Sequence, residues 1–143
     1  MIIKNGDAYL GFSPVDYEFP RLTKEHREYD EVISNWINVR FEYPDNRHKK
    51  RTEMCACILT FEIESFIFSL KQLVSGQIIQ AQLDAIEPYF NLSAYAYNKM
   101  YVIHAKYQTD EDILYEVEQI VGKEQLTDFL IQFEEEFSSF PVR

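Results

Sequence analysis

Cys55 and Cys57 stand two residues apart, a spacing that on an extended strand turns both thiols to one face. With a histidine such as His104 they would make a soft sulfur and nitrogen ligand set suited to zinc, and a metal-dependent hydrolase is one reading. The remaining histidines, His26 and His48, fall in charged stretches, and no His-Glu-x-x-His spacing occurs. Two cysteines so close cannot staple distant segments, which fits a reducing compartment, and if buried they are simply small core residues. Glu62/Glu64 and Asp110/Asp112 are carboxylate pairs, but they sit where a helix start and a turn are expected, so they are read as structural rather than as a general acid and base. A P-loop, a dinucleotide glycine fingerprint and a nucleophile elbow are all missing, and the chain has only 4 glycines. These absences favour a protein that binds over an enzyme, with no cofactor expected.

Charge offers the second kind of chemistry. Of the net charge of −10, residues 1–80 carry −2 and residues 81–143 carry −8. Such a field opposes nucleic-acid binding and repels anionic membranes, whereas a basic protein partner would be attracted. The acidic excess gathers on one ridge near the end of the chain, where Glu124, Asp128, Glu134, Glu135 and Glu136 precede or interleave with an apolar helical pattern. The one basic cluster, Arg47-His48-Lys49-Lys50-Arg51, follows the turn-like Tyr43-Pro44-Asp45-Asn46 and reads as a solvated loop between two strands.

The elements that must position these groups follow from periodicity. The chain has 143 residues, about one domain's length, and 46% of them are hydrophobic, including 11 Phe and 10 Tyr, enough to build a core. No apolar run reaches the roughly 20 residues of a spanning helix and the start lacks a signal-like pattern, so an unexported, cytoplasmic chain is expected. Alternation predicts strands over 8–13, 36–43 and 52–59. Thr60 is placed as the N-cap and Gly76 as the C′ residue of a helix over 61–75, whose Ile63, Phe66, Leu70 and Leu73 face the core. Phe61 and Phe68 project to its other side and need a cover, either a loop or another chain.

Further on, 89–97 and 100–107 read as a hairpin turning at Asn98-Lys99. Phe90, Leu92 and Ala94 then share a buried face with Ile103, Ala105 and Tyr107, while Tyr95, Tyr97 and His104 lie on the reverse. Tyrosine provides rigid area with a polar end, so these three are candidates for a protein–protein interface, with a foreign partner or in a homo-oligomer. A strand around 113–120 follows, with Glu116 and Glu118 turned to solvent. Finally Leu126, Phe129, Leu130, Phe133, Phe137 and Phe140 recur at helical spacing, leaving Asp128, Glu134 and Glu135 outward. The sum is a single α+β domain over 1–143, a mostly antiparallel sheet of about six strands with two helices in the order βββ–α–βββ–α.

Several short words in this chain occur in one order: Tyr17-Glu18-Phe19-Pro20, Asn35-Trp36-Ile37-Asn38-Val39, Leu59-Thr60-Phe61-Glu62, Ile86-Glu87-Pro88-Tyr89-Phe90-Asn91-Leu92, and the closing Phe140-Pro141-Val142-Arg143. In this succession the chain resembles the WapI-like immunity proteins, small bacterial cytoplasmic proteins encoded beside polymorphic contact-dependent toxins. The resemblance implies a non-catalytic inhibitor that binds the C-terminal toxin domain of a cognate toxin. An acidic surface, particularly Asp128, Glu134 and Glu135, is compatible with that role, because a toxin with a nuclease's basic cleft would be drawn to it. A generic scaffold subunit is the remaining alternative.

Overall fold

In the computed structural model, which describes residues 1–19, 33–109 and 112–142, the alternating segments form eight strands in two antiparallel sheets. The first contains, in spatial order, β1 (Ile2–Asn5), β2 (Ala8–Tyr17), β3 (Trp36–Pro44) and β4 (Lys50–Leu59). The second contains β5 (Gln80–Leu83), β6 (Phe90–Tyr97), β7 (Met100–Gln108) and β8 (Leu114–Val121). Helix α1 (Thr60–Ser75) connects the sheets and α2 (Lys123–Phe137) follows β8.

The α+β class, the antiparallel pairing and both helices agree with the sequence reading. The strand count differs: the described residues form eight strands rather than about six, in two sheets rather than one. The two unforeseen strands, β1 and β5, are four residues each and lie at sheet edges. So short a segment contributes only one or two inward side chains, Ile3 in β1 and Ala81 and Leu83 in β5, too few for an alternation to stand out. Pairing to β2 and β6 creates them.

The inner faces of the sheets meet through aromatic rings. Phe90 of β6 lies 5.1 Å from both Phe12 and Phe41, and Phe41 stacks on Tyr107 at 3.9 Å. Such contacts contribute beyond the area they remove from water. The second layer of the core is helical: Leu126, Phe133 and Phe137 of α2 are buried, and Phe133 meets Phe66 of α1 edge-on at 5.2 Å. Phe140, expected to extend the helical stripe, lies beyond the end of α2 and packs edge-on against Tyr17 instead.

Local signals were read correctly at some ends and not at others. Gly76 adopts φ 77° and terminates α1, a conformation that favours a residue without a Cβ. Asn98 and Lys99 both have positive φ, as a two-residue hairpin turn of the twisted kind requires, and the register Phe90↔Tyr107 to Tyr97↔Met100 is the one expected. Thr60, however, is not the cap of α1. Leu59 holds that position, and Glu62 reaches back to accept its N–H at 2.8 Å while Thr60 donates to Asn35 at 2.7 Å, tying the helix start to the turn before β3. Trp36 opens β3 and is half-buried. The stretch 20–31, polar and nearly all charged, reads from sequence as a surface loop; it lies outside the described residues, as do Asp110, Glu111 and Arg143.

Candidate partner-binding surfaces

Period-two alternation gives the second sheet an outer face on which neither helix packs, because α1 and α2 join the core on the inner side. Tyr95 and Tyr97 of β6 and His104 of β7 all lie on this outer face, so the structure brings the three predicted residues onto one surface. Their exposure differs. Tyr97 is 55% exposed at the hairpin end, Tyr95 is half-buried, and only 13% of the His104 side chain is accessible.

Around the tyrosines the face is apolar: Met100 and Ile120 are exposed, and Val102 is buried beneath them. Around the histidine it is ionic. Glu116 of β8 accepts from His104 Nε2 at 2.7 Å and from Lys106 at 3.0 Å, and these two partners, Lys106 foremost, hold its carboxyl below the usual range. Tyr95 donates to Glu118 at 3.4 Å, and partial burial together with that carboxylate pushes its phenol up. The result is a platform with an aromatic end and a cross-linked polar end.

The predicted acidic ridge divides into two sets. Glu134 accepts from Lys71 of α1 at 2.7 Å, and Glu136 meets the amine of Met1 at 3.2 Å, so both charges are shared with a cation of this chain. Glu124, Asp128 and Glu135 form no ion pair among the described residues and are exposed. Of the three ridge residues singled out from sequence, Asp128 and Glu135 therefore present free charge and Glu134 shares its own. The ridge and the platform lie on different faces, joined by the short step from Val121 to Lys123.

The family model for the Immunity protein WapI-like family matches residues 1–141. The chain belongs to this family. No curated protein matches it. Among solved structures, one titled "Crystal Structure of WHY1 from Arabidopsis thaliana" is similar over 98% of this chain and 88% of that chain, at 11% identity and a TM-score of 0.44.

In this WapI-like immunity protein the alternative zinc centre is not assembled. Cys55 and Cys57 belong to β4 of the first sheet, whereas His104 is on the outer face of the second, already paired with Glu116. No group of three His, Cys, Asp or Glu side chains among the described residues is placed to hold a metal ion. Cys57 sits at a bulge opposite the Ile37–Asn38 step, fully buried, and its hydrogen bond with Cys55 and its burial push the thiol up, away from the thiolate that ligation or attack needs. No helix of the described residues is long and apolar enough to cross a membrane.

The sequence reading missed a carboxylate that joins distant parts of the immunity protein. Glu53 of β4 accepts from the phenol of Tyr43 and, at 2.9 Å, from that of Tyr107 in the other sheet. The β3–β4 hairpin register places Glu53 opposite Phe41, one inward position from Tyr43, but its partner on β7 is set only by how the sheets meet.

Proposed function

We propose that this immunity protein binds the C-terminal toxin domain of a cognate polymorphic toxin in the bacterial cytoplasm and neutralises it without catalysis. Its contact surface is the outer face of the second sheet, on which neither helix packs. The observation that carries this is an antiparallel face, open on one side, that exposes Tyr97, Met100 and Ile120 beside the half-buried Tyr95. Aromatic and methionine side chains with a polar, ion-paired margin are the composition of an interface centre and its rim. His104, largely covered, acts by fixing Glu116 and Lys106 in that margin rather than by wide contact.

The free carboxylates of Asp128 and Glu135, with Glu134 beside them, supply the long-range attraction. A toxin domain that handles nucleic acid carries a basic cleft, and an acidic inhibitor accelerates encounter with it and competes for the same charges. No catalytic residue is needed in this scheme.

The test is association of the chain with the toxin domain encoded beside it, measured across a salt series for the wild type and for Asp128→Lys/Glu134→Lys/Glu135→Lys. Association of the variant should be slower by about ten-fold or more at low salt, with the gap closing as salt rises. Equal rates at low salt would assign the ridge to solvation alone. Failure of the wild type to bind or protect against that toxin would overturn the immunity reading.

A further inference from the structure

A cleft of about 490 Å³ opens between the β3–β4 turn and the side chains of Thr109, Ile113 and Tyr115. It belongs to neither surface described above, and Thr109 at its edge accepts the N–H of Ile113 at 3.1 Å. Both carboxylates of the cleft hold donors of this chain. Asp45 takes the backbone N–H groups of Arg47 and Lys49 at 2.8 and 2.9 Å and Arg51 Nε at 3.2 Å, and Glu53 takes the phenols of Tyr43 and Tyr107. Asp112, in the neighbouring connection, accepts from Gln108 at 3.1 Å.

Donors remain. The guanidinium of Arg47, the terminal nitrogens of Arg51, the side-chain amide of Asn46 and the phenol of Tyr115 all line the cleft and have no partner among the described residues. The wall beside them is aromatic, with the rings of Tyr43 and Tyr115 4.2 Å apart. A cation would find both carboxylates already engaged and two arginines in its way. An anion would find unpaired planar donors that match a carboxylate in two-pronged geometry, and a ring surface for a short apolar stem. His48 and Lys49 stand on the same turn, and Lys50, which follows at the start of β4, is paired with Glu42 at 2.7 Å.

We infer that this cleft is a carboxylate-binding site that receives a glutamate or aspartate side chain from an acidic peptide segment of a partner. It goes beyond the toxin reading and does not rest on it, since the occupant is defined by the donors left open and not by the aromatic platform or the acidic ridge.

The test is a nuclear magnetic resonance titration of the full chain that follows the side-chain N–H signals of Arg47, Arg51 and Asn46, with acetyl-tetraglutamate amide as probe. Saturable shifts confined to these groups are expected, with none from acetyl-tetraglutamine amide. Arg47→Gln/Arg51→Gln should weaken binding by about ten-fold or more, and Tyr115→Phe, which keeps the ring, by a smaller factor of roughly two to five. Because Arg51 also steadies Asp45, Arg47→Gln alone provides a variant whose side chain has no role in the fold, and it should weaken binding as well. Absence of shifts up to about 10 mM probe, equal response to tetraglutamine, or equally tight binding of inorganic phosphate would each overturn the proposal.

Discussion

The two faces of the second sheet are built from alternate residues of the same strands, yet they answer to different demands. On the inner face Phe90, Leu92, Ala94, Ile103, Ala105 and Tyr107 are all within a few per cent of complete burial. On the outer face Tyr95, Tyr97, Met100, His104 and Ile120 remain partly or widely accessible, and their polar neighbours pair along the surface instead of across the core. A face that holds the fold together cannot change without cost, whereas a face on which no other element packs among the described residues is free to be shaped for a partner. The division predicts that stability and binding should be lost by different substitutions in adjacent positions of one strand.

The largest effect should come from the inner face. Phe90 bridges the sheets through Phe12 and Phe41, so Phe90→Ala leaves a cavity at their junction and should lower stability by about 3–5 kcal/mol in a denaturant titration. A loss below about 1 kcal/mol would mean that the sheets are not joined there. On the other face, Tyr97→Ala should leave stability within about 0.5 kcal/mol of wild type while weakening capture of the toxin domain by about 2 kcal/mol, the scale of an interface anchor. Calorimetric titration checks the second number and thermal melting the first. Unchanged affinity would move the contact away from the platform.

A smaller effect concerns the loop that leads into β6. Glu62 is buried and accepts the N–H of Leu59 at 2.8 Å and that of Ile86 at 2.7 Å, joining the start of α1 to the segment between β5 and β6. Burial raises its carboxyl above the ordinary value, outweighing the two backbone donors that favour the charged form. The native state therefore holds this proton more tightly than the unfolded chain. Its contribution is fully present below the unfolded pKa and is lost as pH rises through the folded one. Relative to Glu62→Gln, which does not titrate, wild type should gain stability as pH falls from about 7 to about 4, and a pH-independent difference in melts would show that burial does not dominate.

The smallest effect is expected at the helix pair. Lys71 and Glu134 are both about half-exposed, so a double-mutant cycle with Lys71→Ala and Glu134→Ala should give a coupling below about 1 kcal/mol that shrinks in salt. A larger coupling would make Glu134 part of the structural frame and leave Asp128 and Glu135 as the only steering charges of the predicted three.

Much of this arrangement was legible in the sequence. Strands β6 and β7, their turn at Asn98-Lys99 and the assignment of every residue to one face or the other follow from period-two alternation and a short connection, both of which are local. The core side of α2 follows equally from its helical spacing. The candidate surfaces were legible only as lists of side chains. Tyr95, Tyr97 and His104 were placed together, but that the histidine would be covered by its own ion pair was not, since Glu116 comes from another strand. Glu134 and Glu136 looked like their neighbours until Lys71 and the amine of Met1 arrived from elsewhere in the chain.

By itself the sequence determined which side chains share a face, where α1 ends, the acidic character of the second half, and the succession of words by which it resembles its family. Only the tertiary structure decided that the eight strands of the described residues divide into two sheets, that β1 and β5 exist as edge strands, that Cys55 and Cys57 stand apart from His104, that Glu53 joins Tyr43 to Tyr107, and that Glu62 reaches Ile86. The reason is range. Periodicity records the orientation of residues a few positions apart, whereas sheet partition, ion pairing and the occupancy of a buried carboxylate depend on residues that meet only when the chain closes on itself.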